Sequence, residues 1–237
     1  MSDNDEFKVP DVTKLQKPSE QPSQKVIIFC VPGKVFSGKF LINWSELVLQ
    51  CLINGYRPML CQEYDKNLFI SRNKCLGANL LSNDNDQKPF QGNLSYDYLV
   101  WLDPNVLFTF SDLQKLLSSP YDITSGLYLL NSNLTNVVQK IDLEYYKKNG
   151  FINLLNYDNV IDIDKEDNRY FEAEFADMGF MLFKKGVIEK LSYPWFEYDS
   201  DIALFTDTYS FCKKLRENNM KIMIDGNTKM KYFESSI

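Results

Sequence analysis

Short apolar runs alternate with amphipathic stretches along most of this chain. Residues 26–31 (VIIFCV) are all apolar and stop at Pro32, which is typical of a strand buried on both faces. Between Leu41 and Cys51, apolar residues recur every three or four positions and predict a helix with one buried stripe. A second apolar run at 58–61 predicts another strand. This β–α–β order indicates parallel strands joined by a right-handed crossover.

A third apolar run, 98–102 (YLVWL), ends abruptly at Asp103, Pro104 and Asn105. Pro104 has no N–H for a sheet ladder, so this strand must end near Asp103. Ligands of open α/β sheets bind outside the carboxyl ends of the strands. Asp103 and Asn105 therefore predict a site with two oxygen donors, which suits a hard cation such as Mg²⁺ or Mn²⁺. Asp and Asn are also common turn residues, so the pattern alone leaves both interpretations open.

The rest of the chain continues this alternation. Predicted helices cover 68–81, 111–118, 184–191 and 207–217, and predicted strands cover 121–130 and 221–224. The helix at 111–118 rests on a capping-box pattern formed by Ser111 and Gln114. Residues 131–170 show little periodicity, and we expect irregular structure there with a short helix near 141–148.

These elements predict an α/β fold with a mostly parallel central sheet flanked by helices. We expect a single domain that spans residues 26–237. Residues 1–25 are polar, contain three prolines and lack periodicity. We expect this N-terminal arm to be disordered or loosely ordered.

The composition excludes several classes of function. The 237 residues include no histidine, which rules out His-based triads, zincin sites and a histidine general base. A net charge of −6 argues against broad nucleic-acid binding, so we expect no nucleic-acid partner. The five cysteines form no CxxC motif, which indicates reduced thiols. Neither a long apolar run nor a signal-peptide pattern occurs, and we expect a soluble, cytoplasmic protein (in the host cytoplasm if it is viral).

Five short motifs resemble, in order, those of the GT-A glycosyltransferases, and more narrowly the small family-2-like enzymes of bacteria and large DNA viruses. They are Val31-Pro32-Gly33, Ser71-Arg72-Asn73, Trp101-Leu102-Asp103-Pro104-Asn105, Asp177-Met178-Gly179-Phe180-Met181-Leu182, and the segment from Asp207 to Ile224. The third resembles the family's W-[LIV]-D-x-D strand end, and the fourth its G-x-G-F-x-L segment near the acceptor. The resemblance extends from about residue 26 to Tyr232.

The resemblance implies a Rossmann-like GT-A domain that moves a sugar from a nucleotide sugar to a glycan or other hydroxyl acceptor, with inversion and with a UDP-sugar favoured as donor. It implies Mn²⁺ or Mg²⁺ at a D-x-N variant of the D-x-D motif, held by Asp103 and Asn105, because a cation stabilises the leaving diphosphate. It assigns donor contacts to Pro32, Glu63, Arg72 and Asp103. The planar guanidinium group of Arg72 can pair with a phosphate or with an acidic neighbour.

Inversion also needs a base that takes the proton of the acceptor hydroxyl. Because the chain has no histidine, a carboxylate must serve. The resemblance favours Asp207, which opens the helix that carries the base in related enzymes. Substitutes are Asp177, beside the acceptor segment, and the acidic loop of Glu197, Asp199 and Asp201.

Three positions depart from the family pattern. Asn105 is neutral where the family has a second acid, Asp207 lies four rather than two residues before Phe211, and Tyr232 occupies the place of a metal-binding histidine. These departures favour an alternative, a catalytically inactive nucleotide- or sugar-binding module. A nucleotidyltransferase of the same architecture is a further alternative, although the sequence after Pro32 lacks the Gly-rich, Arg-Lys signature of those enzymes.

Overall fold

A computed structural model describes residues 24–82, 84–164, 169–198 and 207–232. Its strands are β1 (Lys25–Pro32), β2 (Tyr56–Glu63), β3 (Tyr98–Leu102), β4 (Val106–Leu107), β5 (Ile123–Leu129), β6 (Val137–Val138), β7 (Tyr170–Ala173), β8 (Phe175–Ala176), β9 (Phe180–Lys184) and β10 (Ile222–Tyr232). Its α-helices are α1 (Gly38–Ile53), α2 (Leu68–Cys75), α3 (Phe110–Leu117), α4 (Leu143–Asn149), α5 (Tyr157–Asp164) and α6 (Asp207–Glu217). Single 3₁₀ turns occur at Pro89–Gly92 and Ile188–Lys190.

The central sheet has the strand order β2-β1-β3-β9-β5-β10-β4, with β7 also paired to β10. Strands β2, β1 and β3 are parallel, and β5 is parallel to β10. Strand β9 lies antiparallel between β3 and β5, so β5 and β10 run in the same direction as β1 to β3. The predicted α/β class with a mostly parallel sheet is confirmed. A separate small sheet pairs β6 with β8.

Both faces of the inner strands β1 and β3 are buried, and this explains their uninterrupted apolar runs, whereas Leu60 on the edge strand β2 is 50% exposed. Ile28 and Trp101 belong to one hydrophobic cluster, while Phe29 and Leu102 belong to another. Since side chains alternate between the faces of a strand, a two-sided core requires apolar residues at every position. Burying one such large apolar side chain contributes about 1.5–3 kcal/mol. The strand that ends at Asp103 is therefore rigidly anchored.

Helix α3 begins two residues before its predicted capping box. The N-cap is Thr109, whose hydroxyl accepts from the backbone N–H of Asp112 at 3.2 Å. The Asp112 carboxylate in turn accepts from the Thr109 N–H at 3.0 Å. The prediction based on Ser111 was wrong because Thr109 and Asp112 supply the same reciprocal pattern with a charged acceptor, which also favours the positive helix end.

Other predicted elements are shorter than expected. Helix α2 ends at Cys75 rather than near residue 81, because Gly77 turns the chain with φ +75°. The predicted helix at 184–191 is reduced to one 3₁₀ turn. In the region 131–170, the short helix predicted near 141–148 is confirmed as α4, whereas β6 and α5 were not predicted. None of the helices in the described part of the chain combines the length and apolar character that a membrane span requires.

Candidate active site

The carboxyl ends of β1, β2, β3, β5 and β10 meet at one edge of the sheet, and Asp103 and Asn105 lie there in a tight turn. The N–H of Asn105 donates to Asp103 Oδ1 at 2.7 Å. The N–H of Asp103 donates to the carbonyl of Gly179, just before β9, at 2.9 Å. These bonds fix Asp103 between two segments that are distant in sequence.

Asp177 is the second carboxylate at this edge. Its Oδ2 accepts from the hydroxyl of Tyr128 at 2.9 Å, and its Oδ1 accepts from the N–H of Met178 at 2.8 Å. A Cβ at Gly179 would lie 2.4 Å from the Tyr128 hydroxyl, so this position has room only for glycine. The glycine allows the Tyr128 ring to reach Asp177 over the start of β9.

The electrostatics of the two carboxylates are coupled. Burial is the main cause that raises the pKa of the Asp103 carboxyl above its ordinary value of 3.8, and the charge of Asp177 raises it further. The Asn105 N–H and the Arg72 guanidinium oppose this shift of the Asp103 pKa. Burial, followed by the charges of Asp177 and Asp103, raises the pKa of Tyr128 well above its ordinary value. Negative charge at this edge is therefore costly, and a cation would stabilise it.

Arg72 and Asp207 form a buried ion pair beside these residues. Arg72 Nη1 lies 2.8 Å from Asp207 Oδ2, and the two side chains are 7% and 4% exposed. The same nitrogen donates to the Thr208 hydroxyl at 2.6 Å, and the guanidinium lies 5.6 Å from the centre of the Phe196 ring. Of the two partners predicted for Arg72, the structure has the acidic neighbour. Helix α2 is thereby joined to the start of α6.

Asn73 completes this connection. Its side-chain amide donates to the carbonyl of Phe196 at 2.7 Å and accepts from the N–H of Phe196 at 3.2 Å. The Arg-Asn pair that the sequence singled out thus holds both α6 and the segment that precedes it. These contacts give the motif a structural role.

Tyr232 lies at the end of β10, next to the Asp103 turn. The side-chain amide of Asn105 donates to the Tyr232 hydroxyl at 3.5 Å. The Tyr232 ring stacks on Tyr128 with centroids 6.0 Å apart and an interplanar angle of 16°. The residue that stands in place of the expected histidine therefore contacts the predicted metal-binding amide.

The other predicted site residues lie at different places. Pro32 and Glu63 are Cα partners at the ends of β1 and β2, and the N–H of Gly33 donates to the carbonyl of Glu63 at 3.0 Å. Glu197 is 47% exposed and its carboxylate lies 2.7 Å from Lys214 Nζ. The predicted substitutes Asp199 and Asp201 lie outside the described residues. The structure thus brings together Asp103, Asn105, Asp177 and the Arg72–Asp207 pair, whereas Pro32 and Glu63 continue the same edge.

The oxygen atoms at this edge fit a cation that is bound jointly by the protein and by a substrate. Within the described residues, no group of three or more His, Cys, Asp or Glu side chains could hold a metal ion. Asp103, Asn105 and Asp177 nevertheless present hard oxygen donors at one edge, where burial and, to a lesser extent, the charge of Asp177 raise the pKa of Asp103. Mg²⁺ and similar ions are commonly bound by one or two carboxylates together with substrate phosphates. The residues present therefore fit Mg²⁺ or Mn²⁺ only with a phosphate ligand.

Sequence reasoning missed Tyr128. It lies in the apolar run LYLL at 127–130, where it resembles an ordinary core residue, and it is in fact 1% exposed. Its role depends on a contact with Asp177, which is 49 residues away along the chain. No local pattern carries that signal.

Comparisons with known proteins concern the fold. No protein-family model matches the chain, and no curated protein matches it in sequence. Among solved structures, A197 from STIV is similar with a TM-score of 0.50 at 13% identity, over 90% of this chain and 96% of that one. The catalytic domain of Drosophila β1,4-galactosyltransferase 7, in complex with xylobiose, has a TM-score of 0.48 at 11% identity, over 89% of this chain and 71% of that one. GalNAc-T7 with UDP, GalNAc and Mn²⁺ has a TM-score of 0.49 at 7% identity, over 89% of this chain and 43% of that one.

Proposed function

We propose that this protein is a glycosyltransferase that moves a sugar from a nucleotide sugar, with UDP-sugars favoured, to the hydroxyl of a glycan or other acceptor, with inversion. The observation that carries the proposal is the pair of coupled carboxylates, Asp103 and Asp177, beside Asn105 at the carboxyl edge of the sheet. Ligands of open α/β sheets bind at such an edge. The motif resemblance supplies the reaction class.

In this proposal the residues along the edge bind the donor. Asp103 and Asn105 would hold Mn²⁺ or Mg²⁺ together with the diphosphate, and the cation would neutralise charge on the leaving group. Glu63 and Pro32, at the ends of adjacent strands, contact the nucleoside. The positive charge of Arg72 lowers the cost of the Asp103 carboxylate.

Asp207 is the proposed base, and it is the first residue of α6. The ion pair with Arg72 holds Asp207 in one orientation. Asp177 remains the substitute, with both oxygens already accepting hydrogen bonds. Glu197 is the weakest of the three candidates, because it is half exposed and paired with Lys214.

The same ion pair favours a second candidate function. Asp207 Oδ2 is directed at Arg72 in a site with little solvent, and the pair joins α6 to α2. An Asp207 with this structural role alone takes no proton, and a protein with such a site binds a nucleotide or a sugar without turnover. This second candidate is a catalytically inactive binding module.

UDP release separates the two candidates. We would assay a panel of UDP-sugars with Mn²⁺ and a panel of glycan acceptors, using the wild type, Asp207→Asn and, as a control, Glu197→Gln. The proposal predicts that Asp207→Asn lowers kcat by about 10²- to 10⁴-fold while UDP affinity is retained, and that Glu197→Gln has little effect.

Three outcomes speak against parts of the proposal. Wild-type binding of a UDP-sugar without UDP release for any acceptor favours the inactive module. A loss of kcat in Asp177→Asn, together with an active Asp207→Asn, assigns the base to Asp177. If no nucleotide sugar binds, the proposed function is wrong.

A further inference from the structure

A cavity lies at the edge of the sheet opposite to Asp103. Its volume is about 380 Å³, and it is lined by the segments that precede β5 and β10 together with Val187 and Lys190. Strand β5 has 7 residues, so at about 3.3 Å per residue the two edges are about 20 Å apart. A ligand in this cavity would not contact the proposed active site.

The cavity has an apolar floor and a polar rim. Ile123 and Val187 are buried and Met220 is half-buried, and these three side chains form the floor. The rim consists of exposed residues: Tyr121, Asp122, Lys190, Asn218, Asn219 and Lys221. Small-molecule sites combine an apolar surface with a few polar groups in this way, and their volumes range from about 300 to 1,000 Å³. This volume suits a ligand of one or two rings.

The charges on the rim are balanced. Lys221 forms an ion pair with Glu172 at 2.7 Å. The positive charge of Lys190 is offset by the negative charge of Asp122, which lines the same cavity. The carboxyl end of α6 also reaches the cavity at Asn218, where the partial negative charge of the helix end disfavours an anion. The cavity therefore lacks the net charge that a phosphate or a carboxylate ligand would need.

The polar groups of the rim suit hydroxyl groups. Lysine and asparagine side chains donate hydrogen bonds, and aspartate and asparagine side chains accept them. Asn219, which follows the end of α6 and has a left-handed backbone with φ +57°, lines the cavity. A polyhydroxylated neutral ligand can use donors and acceptors of both kinds at once.

Tyr121 adds an aromatic surface to this rim. The residue is 39% exposed, and its ring is held edge-on against Tyr170 with centroids 5.4 Å apart. A fixed, partly exposed tyrosine offers an apolar face and a polar hydroxyl. The C–H face of a sugar ring packs on such a surface, while its hydroxyls bond to the neighbouring amides and charges. We propose that this cavity is a binding site for a neutral carbohydrate of one or two sugar units.

This inference does not depend on the proposed function, because it concerns binding at the opposite edge of the sheet. The test is a titration of isotope-labelled full-length protein, followed by backbone amide chemical shifts. The probes are xylobiose, lactose, cellobiose and maltose up to about 50 mM, which detects dissociation constants in the millimolar range. Glucuronic acid and inorganic phosphate serve as charged probes. The variants are Tyr121→Ala and Asn219→Gly, the latter chosen because glycine tolerates the left-handed backbone.

The matched control is Tyr145→Ala. Tyr145 is 37% exposed and also has one aromatic partner, Phe151, at 5.7 Å, but it lies on α4 away from the cavity. We expect saturable shifts at residues 121–123 and 218–221 with at least one disaccharide. Affinity should fall about tenfold or more in Tyr121→Ala and remain unchanged in Tyr145→Ala. Asn219→Gly should weaken binding while the thermal midpoint is retained, which separates loss of the site from loss of the fold.

Three results would overturn the inference. The first is that no disaccharide in the panel causes saturable shifts at the cavity. The second is that both cavity variants bind like the wild type. The third is that phosphate or glucuronic acid binds there as tightly as the neutral sugars.

Discussion

The buried ion pair between Arg72 and Asp207 can be tested by Arg72→Met, which removes the charge but keeps a long, unbranched side chain. The paired atoms are 2.8 Å apart, and the side chains are 7% and 4% exposed. Methionine cannot donate, so Asp207 becomes a buried carboxylate without its cation. Thr208 also loses the donor that lies 2.6 Å from its hydroxyl.

The expected cost follows from this burial. Removal of one partner of a buried pair destabilises a protein by about 3–5 kcal/mol, because the remaining charge is left uncompensated. A domain is typically stable by only about 5–15 kcal/mol, so Arg72→Met should lose a large share of the total. Replacement of both partners leaves no buried charge. We therefore expect Arg72→Met with Asp207→Leu to recover at least about 2 kcal/mol relative to Arg72→Met alone.

The assay is urea unfolding at pH 7, with the slope m checked for constancy. The control is Lys147→Met, which breaks a pair with Glu144 of the same 2.8 Å length whose side chains are 69% and 83% exposed. That variant should leave the urea midpoint of unfolding unchanged, since water screens exposed pairs. The reasoning is refuted if Arg72→Met costs less than about 1 kcal/mol, or if the double variant is no more stable than the single one.

Three further predictions concern the same edge of the sheet and the thiols. Gly179→Ala should destabilise the protein by about 1–3 kcal/mol, because the new methyl group displaces Tyr128. The control Gly38→Ala should not destabilise it, because the space around that Cβ is open. Urea unfolding measures both variants. Asp103→Asn should stabilise the protein at pH 7. Because the pKa of Asp103 is raised in the folded state, the folded protein binds more protons than the unfolded chain as pH rises above 3.8, and wild-type stability falls over that range. The prediction is contradicted if Asp103→Asn is only as stable as the wild type at pH 7, or if its gain in stability persists at pH 3. Cys61, the half-exposed thiol, should react with a disulfide reagent at pH 8 before the buried cysteines, and equal rates for all would contradict the burial order.

The sequence predicted the position of Asp103 because a strictly local signal marks it. A run of apolar residues requires a strand buried on both faces, and Pro104 ends that strand. The parallel arrangement of β1 and β2 followed from the helical period between them. These features depend on residues that are neighbours in the chain, and they were confirmed.

Contacts between distant segments could not be predicted in the same way. Strand β9 enters the sheet beside β3 through pairs such as Trp101 with Met181, and the ion pair joins Arg72 to Asp207. Nothing in the local pattern near Met181 specifies its partner. The motif resemblance selected Arg72 and Asp207 separately, but it did not indicate that they pair with each other.

The choice of the N-cap of α3 failed for a different reason. Two overlapping patterns, Thr109 with Asp112 and Ser111 with Gln114, both satisfy the rule for a capping box. The protein uses the first, in which the Asp112 carboxylate accepts from the Thr109 N–H and its charge favours the positive helix end. The sequence pattern alone does not distinguish two candidate N-caps that lie two residues apart.

The central claim is that the edge marked by Asp103 binds a nucleotide diphosphate together with a divalent cation. Calorimetric titration of UDP, with and without Mn²⁺, tests it on the wild type and Asp103→Asn. Asp142→Asn is the control, because Asp142 is an exposed N-cap whose role asparagine can fill. The account predicts that Mn²⁺ strengthens UDP binding about tenfold or more in the wild type and in Asp142→Asn, and not in Asp103→Asn. Absence of UDP binding under both conditions, or Mn²⁺-dependent binding that is unchanged in Asp103→Asn, would contradict it.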